Sequence, residues 1–220
     1  MTWLRTFIMA RKLALILTTL AAVSSPVVAL WPLPKSITTG STAVRLAPYF
    51  NIQVSVQGAP SDLHDAVTRT LGYLKHDKLG RLVVGRGSGD SQAIQGAKQL
   101  SALTLSLTSS NSAVRSISDE AKDALESRDE AYTLSVPADG SAATLKANST
   151  LGLYRGLITF EQLWYDYEGT IYSLEAPIQI DDAPAYVSSR YLNNRQLSDS
   201  SSNVSPTVDL CSTRLGTCEL

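Results

Sequence analysis

Six acidic side chains, Asp119, Glu120, Asp123, Glu126, Asp129 and Glu130, crowd into one short stretch of the sequence. Paired carboxylates carry out most glycoside hydrolysis, one as acid and the other as base or nucleophile. Here Lys122 and Arg128 interleave with them, and little apolar pattern is available to fold them into a pocket. The stretch therefore reads as a solvated face or loop. Gly85-Arg86-Gly87-Ser88-Gly89-Asp90 follows an apolar run and precedes a candidate helix at Gln92–Leu100, a context that suits a phosphate loop. Its spacing is G-x-G-x-G, neither G-x-G-x-x-G nor a run ending in Gly-Lys-Ser/Thr, so it reads as a surface loop. His64 and His76 have no triad partner at a readable spacing, and Cys211 and Cys218 lie far from both. No metal set and no cofactor motif is expected. A Cys211–Cys218 bridge would close only a small terminal loop, and whether the two pair is left open.

Asn148-Ser149-Thr150 is an N-glycosylation sequon at a junction that should be exposed. Its alternative role is a helix N-cap without sugar. Asn203-Val204-Ser205 is a second sequon, weakened by Pro206.

The elements that would position these residues are legible from periodicity. Ile52, Val54 and Val56 alternate at strand period. Ser61 is placed to cap a helix carrying Leu63, Val67, Leu71 and Leu74 on one side. Arg81–Val84 reads as a short strand, and Leu103, Leu105 and Leu107 as a half-buried one. Tyr132–Val136 and Ala143–Ala147 flank Pro137-Ala138-Asp139-Gly140, which predicts a β-hairpin. A helix over about residues 150–166 presents Leu153, Leu157, Phe160, Leu163 and Trp164, with Asn148 or Ser149 as cap. Gly152 and Gly156 lie on it for close packing against a sheet. Thr170–Ile180 is extended. The fold class is α+β, a mixed β-sheet with helices packed on one face.

Composition bounds the function. The 220 residues hold 19 Lys+Arg against 20 Asp+Glu, which argues against nucleic acid as a partner. The 44% hydrophobic content supports a packed core. Arg5, Arg11 and Lys12 precede an uncharged apolar run, Leu13–Val23, and Val27-Val28-Ala29 offers small or short residues. Residues 1–29 read as a secretory signal peptide cut between Ala29 and Leu30. The run is too short for a membrane anchor. The expected product is secreted, or vacuolar or lysosomal, with no membrane partner after signal removal.

Several segments resemble the β-N-acetylhexosaminidases of glycoside hydrolase family 20, fungal secreted type. Leu30-Trp31-Pro32-Leu33-Pro34-Lys35 is similar to their mature start, and Asp129-Glu130-Ala131-Tyr132-Thr133-Leu134 to a strand of their N-terminal domain. Gly152-Leu153-Tyr154-Arg155-Gly156-Leu157-Ile158-Thr159-Phe160-Glu161-Gln162-Leu163 resembles the signature helix, and Ile180-Asp181-Asp182-Ala183-Pro184-Ala185-Tyr186 the lead-in to the catalytic domain. The resemblance implies that residues 30–186 form the non-catalytic N-terminal α+β domain. In that family its partner is a (β/α)8 barrel, which removes terminal N-acetylglucosamine or N-acetylgalactosamine from chitin oligomers and glycoconjugates. An Asp-Glu pair in the barrel performs substrate-assisted hydrolysis. The chain as written has no positions matching that pair and is expected to be inactive.

Residues 187–220 depart from the family. Val187-Ser188 can be encoded by GTAAGT, an intron donor, and Ser205 can end in an acceptor AG followed by C. Read one register over, Pro206 to Thr217 permits Pro-Tyr-Arg-Gly-Phe-Met-Leu-Asp-Thr-Ala-Arg-Asn, the family's continuation after Tyr186. The tail is read as retained intron plus out-of-frame exon, expected to be unstructured; the alternative is a divergent tail. A second functional reading is a secreted non-catalytic module that binds a hexosaminidase barrel or chitin, with Trp31, Trp164, Tyr165 and Tyr167 as candidate stacking residues. A third is a prematurely terminated product that is cleared.

Overall fold

The computed structural model describes residues 30–108 and 113–183. The expectations for the signal peptide, Ala29, Asn203, Cys211, Cys218 and the segment 187–220 lie outside the described residues.

In chain order the elements are β1 (Ser36–Ser55), α1 (Ser61–His76), α2 (Ser91–Gly96), β2 (Lys98–Leu107), α3 (Ile117–Glu120), β3 (Tyr132–Val136), β4 (Ala143–Ala147), α4 (Thr150–Glu161), β5 (Tyr165–Tyr167) and β6 (Thr170–Asp182). The sheet is mixed, with strand order β1-β2-β4-β3-β6-β5. The hairpin read from residues 131–147 is present as the antiparallel β3–β4 pair, with Tyr132 opposite Ala147. Gly140, in its turn, takes φ 87°, a left-handed conformation that suits glycine.

β1 is longer than its sequence period suggests. Its first part, Ser36–Arg45, runs antiparallel to β6, and Val44–Ser55 runs parallel to β2. A register shift between Leu46 and Asn51 separates the β2 pairing into two runs. Because β1 touches both β2 and β6, the pairings form a closed circuit, β1-β2-β4-β3-β6-β1.

The apolar periodicities meet in one core. Leu63, Val67 and Leu74 of α1 join Leu153, Leu157 and Phe160 of α4 over Leu105, Leu134, Leu145 and Ile178 of the sheet. Phe160 stacks on Phe50 at 6.0 Å between ring centres and meets Trp164 edge-on at 5.3 Å. Burying each such side chain contributes about 1.5–3 kcal/mol. A side chain at Gly156 would run into Leu145, and one at Gly152 into the Ala131 carbonyl. Glycine at these positions lets α4 lie close on β3 and β4, as expected.

Four local expectations are corrected. The helix expected over about residues 150–166 ends at Glu161, because Tyr165–Tyr167 pair with Thr170–Tyr172 as strand. Arg81–Val84 is not a strand: Leu82 and Val84 are exposed and the chain enters successive turns. Gly85, Arg86 and Gly87 have φ of 79°, 50° and 99°, which extended pairing cannot accommodate. The candidate helix Gln92–Leu100 is only α2, ending at Gly96, because Lys98–Leu100 pair with Val44–Leu46 as strand. Ser61 is the first residue of α1 and not its cap; the cap position is Pro60, without a side-chain bond.

Candidate functional site

The acidic stretch is less solvated than its composition suggests. Asp119 and Asp123 do stay at the surface, paired with Lys122 and Arg115 respectively; the pKa of each is lowered, that of Asp123 by the Arg115 guanidinium and that of Asp119 by the Ser116 hydroxyl and then Lys122. Glu120, Asp129 and Glu130 instead converge on the first turns of α4. The Glu120 carboxylate accepts from the Leu151 N–H at 2.7 Å, and the Thr150 hydroxyl lies 2.9 Å from it. An anion at a helix N-terminus satisfies orphan donors and the dipole together. Ser149 is the cap: its Oγ accepts from the Gly152 N–H at 2.9 Å and donates to the Asp129 carbonyl. The sequence left Asn148 and Ser149 as alternatives, and the structure selects Ser149.

Asn148 is exposed, and its Nδ2 donates to Asp129 Oδ2 at 3.0 Å. Leu30, on the mature side of the expected cleavage, is buried. His64 and His76 are exposed on α1, and among the described residues no cluster of metal-ligating side chains occurs. The Gly85–Asp90 loop spends its carboxylate internally. Asp90 receives Arg81 Nη1 at 3.1 Å and the Tyr172 hydroxyl at 2.7 Å, and burial with that bond raises the Tyr172 pKa.

A second polar cluster lies along the side of α4 and was not anticipated. Glu130 is buried and pairs with Arg155 Nε at 2.7 Å. The Tyr132 hydroxyl sits 2.6 Å from Thr159 Oγ1, and burial pushes the Tyr132 pKa up to about 12. Asp182, opposite Tyr132 in the sheet, accepts from the Lys35 N–H at 3.0 Å. A signal for this existed: Glu130 and Tyr132 are two apart on an extended segment, and Arg155 and Thr159 four apart on a helix. Chemically the cluster is a clamp. Its carboxylates accept hydrogen bonds from Arg155 and the Lys35 N–H, and among the described residues neither is paired with a second carboxylate.

Of the candidate stacking residues, Trp164 is buried at 2% exposure, Tyr165 and Tyr167 are half-buried, and Trp31 is 85% exposed. Trp31 is fixed by its backbone: its N–H donates to Gln162 Oε1 at 2.8 Å and its carbonyl accepts from Gln162 Nε2 at 3.1 Å.

Comparison with known proteins places this arrangement. The family described as beta-acetyl hexosaminidase like matches residues 30–163. Beta-hexosaminidase 1 of Arabidopsis thaliana is 29% identical over 164 residues, which is 71% of this chain and 28% of that protein. A chitobiase of Flavobacterium johnsoniae is similar with TM-score 0.47 and 22% identity, over 71% of this chain and 21% of that one. An exo-β-N-acetylglucosaminidase of Vibrio harveyi follows with TM-score 0.40 and 16% identity, over 71% of this chain and 19% of that one. The chain thus spans under a third of the length of each of these relatives. With the family matched over more than half of its residues, the chain belongs to the beta-acetyl hexosaminidase-like family of glycoside hydrolase family 20, as the N-terminal domain.

Proposed function

We propose that this domain is the non-catalytic mount of a catalytic (β/α)8 barrel in a secreted β-N-acetylhexosaminidase of fungal type. The enzyme's reaction would be removal of terminal N-acetylglucosamine or N-acetylgalactosamine from chitin oligomers and glycoconjugates. The observation that carries this reading is the division of labour around α4. Its carboxylate neighbours are committed to caps and ion pairs, while its outward side offers half-buried Tyr154 and Ile158. Exposed Trp31 continues that side, because Gln162 Nε2 bonds the carbonyls of both Ile158 and Trp31. Apolar area of this kind suits a packed neighbour better than water.

The test is titration of the purified chain against the isolated barrel of a full-length relative. Binding is expected, with Trp31→Ala and Ile158→Glu each weakening it about tenfold or more. The chain alone should release no product from an aryl N-acetylglucosaminide. Turnover by the purified chain, or absence of any barrel binding, would overturn the proposal.

Secretion and a glycan on Asn148 belong to the same reading. Support comes from the apolar N-terminal segment, the sequon and the exposure of Asn148. Expression in a secreting eukaryotic host should give a chain that begins at Leu30 and whose mobility shifts on glycosidase treatment.

A further inference from the structure

Arg45 lies on β1 opposite Gln99 of β2 and Tyr172 of β6. Its Nε is buried and meets no acceptor among the described residues, and its guanidinium joins none of the ion pairs there. The Arg45 side chain is only half-buried, so its terminal nitrogens, unlike Nε, are the part that a ligand can meet. The register shift of β1 between Leu46 and Asn51 lies next to it. There an open cavity of about 290 Å³ forms, lined by Arg45, Lys75 and Gln99 on the polar side and by Leu46, Phe50 and Leu74 among its apolar walls. No carboxylate among the described residues lines it. Lys75 also makes no ion pair among the described residues; it stands in the last turn of α1, where a cation suits the helix dipole. Arg45 has no such local role.

The cavity's size is near the lower end for small-molecule pockets, and its walls combine two cations and an amide with apolar side chains. We propose that it binds a small amphipathic monoanion, a carboxylate with a short apolar body. The head group would face Arg45 and Lys75, and the body would lie along Leu46, Phe50 and Leu74. A neutral ligand would leave the two cations without a counter-charge, and an inorganic anion would make no use of the cavity's apolar lining. This inference is independent of the barrel-mount reading, since the walls named here include neither Trp31 nor α4.

The experiment is calorimetric titration of the full chain with sodium octanoate, and with 1-octanol as its neutral counterpart. Octanoate is expected to bind about tenfold more tightly than octanol, and added NaCl should weaken octanoate alone. Arg45→Gln should lower octanoate affinity about tenfold, and Lys75→Gln by a smaller factor, with octanol unchanged. If Arg45→Gln does not fold, the octanol comparison and the salt series on the unaltered chain decide the matter. Equal binding of the two probes, no octanoate binding at millimolar concentration, or full affinity in a folded Arg45→Gln chain would each overturn the proposal.

Discussion

Arg155 Nε donates to the Glu130 carboxylate at 2.7 Å, and so ties the middle of α4 to the residues leading into β3. The pair is lopsided: the Glu130 side chain is 6% exposed and the Arg155 side chain 42%. Glu130 Oε1 has no partner among the described residues, so Arg155 is the charge there that keeps this carboxylate tolerable inside the fold. Removing one member of a buried pair is costly, and solvent at Arg155 softens the loss. Arg155→Ala should therefore destabilise by about 2 kcal/mol in urea unfolding. Glu130→Gln with Arg155→Ala should lose less than the sum of the two single changes. Strict additivity would remove the clamp from the account.

Two helical glycines should respond oppositely to the same substitution. Gly156 faces Leu145 with no room for a methyl group, whereas a methyl group at Gly72 on α1 would meet no other part of the described fold within 4 Å. Gly72→Ala should raise stability by about 0.5–1 kcal/mol through helix propensity. Gly156→Ala gains the same propensity but overpacks the core, and should show a net loss of about 1–2 kcal/mol. Thermal melts of the two variants compare them directly; a stabilised Gly156→Ala chain would contradict the close approach of α4 to β4.

The sequon and the cap overlap but can be separated. Ser149→Ala leaves Asn148 and Thr150 intact, so glycan attachment should persist while stability drops about 1 kcal/mol with loss of the bond to the Gly152 N–H. Asn148→Gln should abolish the glycan and spare the cap, losing only the exposed bond to Asp129. A glycan-dependent mobility shift that survives Asn148→Gln would place the sugar elsewhere.

Glu161 gives the fold a pH dependence of known sign. Burial raises its pKa, although the Thr70 hydroxyl, 2.5 Å away, opposes the shift. A carboxyl with a raised folded-state pKa favours the fold while protonated, and that contribution fades as pH rises through the folded value. Surface Asp119 and Asp123, whose pKa values are lowered, act with the opposite sign. The difference between Glu161→Gln and the unaltered chain isolates Glu161. The variant should gain relative stability from the usual carboxylate range upward towards neutrality. A difference independent of pH would show that burial of Glu161 is not felt.

The parts of the fold that were legible are those where one period or one turn decides the outcome. Tyr132–Ala147 declared a hairpin through Pro137 and Gly140, and α4 declared its buried side through Leu153, Leu157 and Phe160. The first half of β1 was not legible. Ser36–Thr42 has a weak apolar alternation and gains strand structure from β6, more than 130 residues away in sequence. The apolar triplet Leu82-Val83-Val84 misled because composition favoured a strand while the adjoining left-handed turns excluded one. In the polar cluster Glu130 and Asp129 read as solvated because their neighbours are charged; the hairpin brings Asn148 beside Asp129, and Arg155 meets Glu130 only once α4 packs across β3.

The double pairing of β1 has a consequence for synthesis. The first strand to leave the ribosome needs the last one, since Ser36–Arg45 is zipped by Tyr172–Asp181. Contacts so distant in sequence slow folding and postpone it. Until β6 has emerged, a nascent chain holds the free edges of β1 and β3 open to any other extended segment. The domain is thus sealed at a single moment, once Thr170–Asp182 has emerged, and any chain halted before Thr170 would carry those edges unsealed.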